Sequence, residues 1–293
     1  MYYLYYFLIQ IKLPMKKIIF IAIAMCSIIL ISCKKETAQQ PDELAGLTLL
    51  QKMANDTTEI EVYTRSGTLT VGYNDIFFRV KNKLTDEFVN NAVLDWMPIM
   101  HMTMMSHAAP KSPITKVAGK EFLYKGFIVF QMPGNDMEKW TLSIDVQTPS
   151  ITTAVLDTFA VANSIKKRVA SFTGSDSKKY ILALVSPENP AVATNDLTLG
   201  LFVKETSMSY PAVTDATILF DPRMPDMGNH TSPNNVQPVI NTTDNLYHGK
   251  VSLSMTGYWK LNFIVKNASD VVLKGEEISP SVESSSLYLE LEF

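Results

Sequence analysis

The chain has 293 residues, of which 46% are hydrophobic and 19% charged, with a formal net charge of −3. That is enough apolar material for one large or two ordinary folded domains, and it excludes an intrinsically disordered chain. Residues 1–32 hold Lys12, Lys16 and Lys17 and no acid, so the remainder carries −6; an acidic body without a basic stripe gives no electrostatic footprint for nucleic acid.

The N-terminus reads as an address. Lys16-Lys17 precede an apolar run of 13 residues from Ile18 to Leu30, and Leu30-Ile31-Ser32-Cys33 follows. A short basic region, a short apolar core and a small residue before the break fit a secretory signal, and the core is shorter than the ~20 residues of a spanning helix. The Leu-Ile-Ser-Cys end resembles a bacterial lipobox, which makes Cys33 the expected lipidation site. An ordinary cleaved signal or a membrane anchor is the alternative. Cys26, the other of the two cysteines, lies inside the apolar core, so the body of the protein has no disulfide and no thiolate metal site. Residues 1–14 add a second apolar stretch, and Met15 is read as the true start. Residues 1–33 are thus assigned to the signal peptide and 34–58 to a solvated tether, with a weak helix candidate near 44–53. Export implies a lipid-anchored place in the cell envelope, on the periplasmic face or the outer surface of the outer membrane.

From Glu59 the pattern is β. Ile76, Phe78 and Val80 alternate with Phe77, Arg79 and Lys81, the period of a half-buried strand. Val93-Leu94 then lead to Trp96-Met97-Pro98-Ile99-Met100-His101-Met102-Thr103-Met104-Met105-Ser106-His107. Tyr124, Gly126, Ile128, Phe130 and Met132 share a face by parity, which marks Met132 as core. Trp140, Leu142, Ile144 and Val146 form the next strand, behind the turn Pro133-Gly134-Asn135-Asp136.

Most of this recurs. Leu197, Leu199, Leu201 and Val203 repeat the first strand, Ile218-Leu219-Phe220 lead to Arg223-Met224-Pro225-Asp226-Met227-Gly228-Asn229-His230, and Tyr247, Gly249, Val251, Leu253 and Met255 repeat the tyrosine strand. Trp259, Leu261, Phe263 and Val265 match the tryptophan strand. An internal duplication follows. The polar cluster between Ala162 and Lys179 places the boundary, giving a first β-sandwich repeat over 59–162 and a second over 163–293. Short strands at this spacing, with turn signals and few helix signatures, read as antiparallel sandwiches.

The Met-Pro-x-Met segments, the Tyr-x-Gly strands with their distal Met, and the Trp strands together resemble the YtkA-like family. The resemblance covers about residues 59–150 and 185–266. It implies two tandem immunoglobulin-like β-sandwich domains, a fold similar to that of CopC-like copper carriers, in exported proteins linked to copper handling. The two copies differ: five Met and two His occupy the first segment, two Met and one His the second.

Thioether sulfur is soft and neutral and favours Cu(I), while imidazole accepts either copper state. The candidate metal ligands are Met97, Met100, His101, Met102, Met104, Met105 and His107 in the first segment, read as a loop, and Met224, Met227 and His230 in the second, with His248 reaching over from the next strand. All four histidines of the protein lie in or beside these two segments. The opposing reading makes the methionines plugs of the sandwich core, most of all Met97 and Met224, each before a proline. Parity turns His248 away from the core. No nucleophile elbow, zinc-protease helix, phosphate loop or nucleotide fingerprint is present, so no catalysis is expected. The expected function is copper buffering, or transfer to an envelope copper-transport or efflux partner. The rivals are a metal-free interaction or scaffold module and a surface-binding adhesin.

Overall fold

The computed structural model describes residues 42–293. The signal peptide, the Met15 start, Cys33 and residues 34–41 of the tether lie outside the described residues. Residues Glu43–Phe293 form one compact unit.

The described chain is all-β. The first repeat runs through β1 (Thr48–Ala54), β2 (Thr58–Thr64), β3 (Leu69–Thr70), β4 (Gly72–Asn82), β5 (Glu87–Phe88), β6 (Val93–His101), β7 (Ser106–Ala108), β8 (Thr115–Lys116), β9 (Tyr124–Phe130), β10 (Lys139–Gln147), β11 (Thr152–Phe159) and β12 (Val161–Ala162). The second runs through β13 (Val169–Thr173), β14 (Lys179–Ser186), β15 (Thr194–Val203), β16 (Thr217–Met224), β17 (His230–Thr231), β18 (Val236–Asn241), β19 (Leu246–Ser252), β20 (Tyr258–Lys266), β21 (Val272–Lys274) and β22 (Tyr288–Glu292). A 3-10 turn at Pro225–Met227 separates β16 from β17.

Each repeat is a sandwich of two sheets. In the first, β1-β2-β4-β9-β8 faces β11-β10-β6-β7; in the second, β13-β14-β15-β19-β18 faces β17-β16-β20-β21, with β22 also on β20. Neighbours within these sheets are antiparallel, as the alternating patterns predict. Trp96, Met100, Trp140, Ile144 and Phe78 fill one core; Leu199, Phe220, Trp259, Phe263 and Tyr247 fill the other.

The tether ends sooner than the polar composition suggests. Leu44 and Leu47 pack on the outer face of the first sandwich against Tyr63, Phe77 and Leu123. The Glu43 carboxylate accepts the Phe122 N–H at 3.1 Å. Residues 48–54, expected as tether or weak helix, are strand β1: pairing with β2 satisfies their backbone and buries Met53 completely.

One tyrosine in each sandwich ties β9 or β19 to the segment that leads into the facing sheet. The Tyr124 hydroxyl accepts the Ala92 N–H at 2.9 Å and donates to the Val89 carbonyl at 3.3 Å. Tyr247 does the same with Ala216 and Val213, at 3.2 and 2.9 Å. The glycine two residues on is required in both strands. A Cβ on Gly126 would stand 2.7 Å from the Trp96 ring, and one on Gly249 2.5 Å from the Val236 carbonyl oxygen.

The sandwiches share a further apolar cluster. Val129, Ile181, Ala183 and Phe202 form it, from the outward faces of β9, β14 and β15. Phe127 and Phe202 meet there with ring centroids 6.2 Å apart. Ala108 of the first repeat donates its N–H to the Ser207 carbonyl of the second at 2.8 Å, and Arg65 stands 4.0 Å from Glu188. Strands β14 and β15 are therefore buried on both faces, which explains their nearly continuous apolar runs.

Candidate functional site

The first Met/His segment is mostly strand. Met97 to His101 lie in β6, where Trp96, Pro98 and Met100 point into the core and Met97 and Ile99 stand half-buried on the other face. The expectation of a loop fails here because the alternation of core-facing residues runs unbroken through the proline. Only Met102 to Met105 form a turn, closed by the Met102 N–H on the Met105 carbonyl at 2.9 Å. Met104 is 91% exposed and Met105 61%, whereas Met102 packs against the core.

The pairing of β6 with β7 separates the two histidines. Met100 stands opposite His107, and His101 opposite Ser106, so His107 shares the core face with Met100 and His101 lies on the other. His101 Nε2 is 2.9 Å from the Thr141 hydroxyl. These strand positions do not bring His101 and His107 to a common point. Beside Met100, β10 contributes Trp140, and the His107 ring meets the Trp140 ring edge-on at 5.6 Å. Trp140, Met100 and His107 thus form a row across three strands.

The second repeat builds the same row in a different sequence register. Arg223 pairs with Lys260 and Pro222 with Leu261, which brings Met224 level with Trp259 as Met100 is level with Trp140. Met224 then pairs with His230 across β16 and β17. The tyrosine partners give the same alignment: Ala92 matches Ala216 and Val89 matches Val213. The structural counterpart of Met97-Pro98-Ile99-Met100 is therefore Asp221-Pro222-Arg223-Met224, not Met224-Pro225-Asp226-Met227. Pro225 begins the 3-10 turn, and Met227 falls on it, exposed, without a counterpart in β6.

His230 is exposed. His248 sits on β19, in the opposite sheet, where its Nε2 donates to the Asp244 carboxylate at 2.9 Å. It is held there and does not reach His230. Among the described residues, no group of three His, Cys, Asp or Glu gathers closely enough to hold a metal ion, so a metal at either corner needs thioether ligands.

His107 lies on a cavity wall with a methionine beside it. Its Nδ1 lies 2.9 Å from the Ala108 carbonyl oxygen, which can only accept, so Nδ1 is the donor and, in the neutral ring, Nε2 is the nitrogen with the lone pair. His107, Gln131 and Met132 line a cleft of about 200 Å³ whose opposite wall comes from the second sandwich. Met132 was placed in the core by parity. It lies just past the end of β9 and is half-buried, against the core on one side and this cleft on the other. Its carbonyl accepts the Trp140 indole N–H at 3.0 Å, and Met255 holds Trp259 in the same way at 3.1 Å. The recurrence of a methionine six residues after each Tyr-x-Gly glycine was the available signal. Met100 and Met224, by contrast, are sealed in the cores at 0% and 3% exposure.

Residues 174–263, within the second sandwich, match the profile of the YtkA-like family. No curated protein matches the chain. A solved structure described as the conserved domain protein from Bacillus anthracis is similar over 86% of this chain and 93% of its own, at 11% identity and a TM-score of 0.28, a likeness too loose to carry an argument.

Proposed function

We propose that this protein, YtkA-like in its second repeat, is an exported, lipid-anchored copper-binding protein that holds Cu(I) at the corner of the first sandwich. His107 Nε2 and the Met132 thioether are the principal ligands, with Met102 beside the same core. The observation that carries the reading is that an imidazole and a thioether, His107 and Met132, line one cleft. Imidazole and thioether are a donor set that suits Cu(I) and not the harder divalent ions. Two or three neutral soft donors give binding that a partner can outcompete by ligand exchange, which fits buffering or hand-over to an envelope transport partner.

The exposed methionines Met104, Met105 and Met137 favour a second reading, a contact surface for another envelope protein with no metal. An anaerobic Cu(I) competition titration on the full chain in detergent separates the two. One ion bound tightly, and weakened about tenfold or more by H107Q with M132L while the circular dichroism stays native, supports the copper reading. Binding no tighter than that of a weak chelator sinks it and leaves the contact surface.

A further inference from the structure

The cleft at His107 has a second wall that the copper reading does not use. Lys179 and Lys204 of the second sandwich line it, together with Tyr180, Ile181 and Tyr210. Tyr180 pairs with Val203 across β14 and β15, and the Lys204 N–H donates to the Lys179 carbonyl at 2.8 Å. The two lysines therefore stand directly opposite each other on the next rung. Like charges in that position repel. No described carboxylate lies within ion-pair distance of either ammonium. Glu205, next in the chain, is engaged by the Ser209 hydroxyl at 3.1 Å. No acid lines the cleft. The two phenols stay neutral, because burial and the Asp176 hydrogen bond push Tyr180 up to about 12 and burial pushes Tyr210 up.

The first sandwich adds an independent feature on the facing wall. The Gln131 amide oxygen is buried and has no hydrogen-bond partner. Buried amide oxygens are almost always satisfied, so this one is an unused acceptor on a residue that lines the cleft. Met132, Ile181 and the Tyr180 ring supply apolar surface in the same cleft.

We propose that this inter-repeat cleft binds a small organic anion with an apolar body and one hydrogen-bond donor. The carboxylate sits between Lys179 and Lys204 and relieves their repulsion. The apolar body lies along Met132 and Ile181. The donor, a hydroxyl or N–H, meets the Gln131 oxygen. The cationic wall accepts an acid, and the size of the cavity limits that acid to a small molecule.

Calorimetric titration of the metal-free full chain in detergent, with chelator present, tests this independently of the copper reading. The probes are 4-hydroxyphenylacetate, phenylacetate, which lacks the donor, and 4-hydroxyphenylethanol, which lacks the charge. Saturable binding of 4-hydroxyphenylacetate is expected, weakened about tenfold by K179Q with K204Q, a loss of about 1.4 kcal/mol. A smaller, several-fold loss is expected with Q131L or with phenylacetate. The control pair K250Q and K266Q, which removes the same charge elsewhere, should leave binding unchanged. The proposal is overturned if none of the probes saturates, if the neutral alcohol binds as well as the acid, or if the two lysine variants bind alike.

Discussion

Met100 on β6 and His107 on β7 are directly opposed, with the methionine sealed in the core and the histidine at the edge of a cleft. The pair divides its labour. Met100 fixes the position of the corner, and of the two only His107 lines the cleft. Met100→Leu, a swap of similar volume, is expected to cost under about 1.5 kcal/mol and to leave Cu(I) affinity unchanged. Met100→Ala should cost about 2–5 kcal/mol. Urea denaturation beside the copper titration checks both; a marked loss of copper affinity in the leucine variant would make Met100 a ligand after all.

The tyrosine anchors give a second expectation. Each hydroxyl makes two hydrogen bonds to backbone that leads into β6 or β16. Removing it in Tyr124→Phe or Tyr247→Phe leaves an N–H and a carbonyl without their partner, at about 1–3 kcal/mol each. Equilibrium unfolding measures this. Because the two sites lie in different sandwiches and share no partner, the double variant should lose close to the sum of the two.

Gly126 is a packing requirement. A Cβ there would press on the Trp96 ring at 2.7 Å, and the ring is held by Phe78 edge-on at 5.3 Å. Gly126→Ala is expected to destabilise by about 1–3 kcal/mol and to alter the near-ultraviolet dichroism of the tryptophans. An unchanged spectrum with unchanged stability would mean that the ring has room to move.

Asp75 carries the expected acid sensitivity. Burial alone would raise its pKa, but the charge of Lys125 and hydrogen bonds from Arg65, Lys125 and Tyr73 outweigh burial and hold it below 3.8. The partners lie at 2.7 Å (Arg65), 3.0 Å (Lys125) and 2.8 Å (Tyr73). A carboxyl depressed on folding adds stability that is complete above its unfolded pKa and is lost as pH falls through the lower folded value. Asp75→Asn should therefore cost about 2 kcal/mol at neutral pH. The gap between wild type and variant should close below about pH 4, read as melting temperature against pH.

Period-2 alternation carried most of the fold. Residues 76–80, 124–130 and 140–146, with their second copies, fixed strands and faces by parity, and the recurrence of the tyrosine and tryptophan strands revealed the duplication. The match between the repeats at Met-Pro was misread because Met224-Pro225-Asp226-Met227 imitates the first copy three residues late. The equivalence rests instead on Pro222 and on which residues reach the core, and the β16–β20 pairing and the tyrosine partners display it. Strand β1 was missed because its side chains are mostly exposed at a sheet edge, where polarity looks like a tether. The site was legible in its histidine and not in its second wall. His107 stood out by residue type, whereas Lys179 and Lys204 join it only through the packing of one repeat on the other, which leaves no local period in the sequence. The apolar run Ile181-Leu182-Ala183-Leu184 was the one hint that β14 is covered on both faces.

The cluster of Val129, Ile181, Ala183 and Phe202 changes what the duplication amounts to. Beads joined by a linker can be lost, multiplied or exchanged one at a time, since each keeps its own surface. Here each bead lends the other part of its interior, so a lone copy would expose an apolar sheet face to water. The cooperative unit is the pair, and a single calorimetric transition is the signature it should leave.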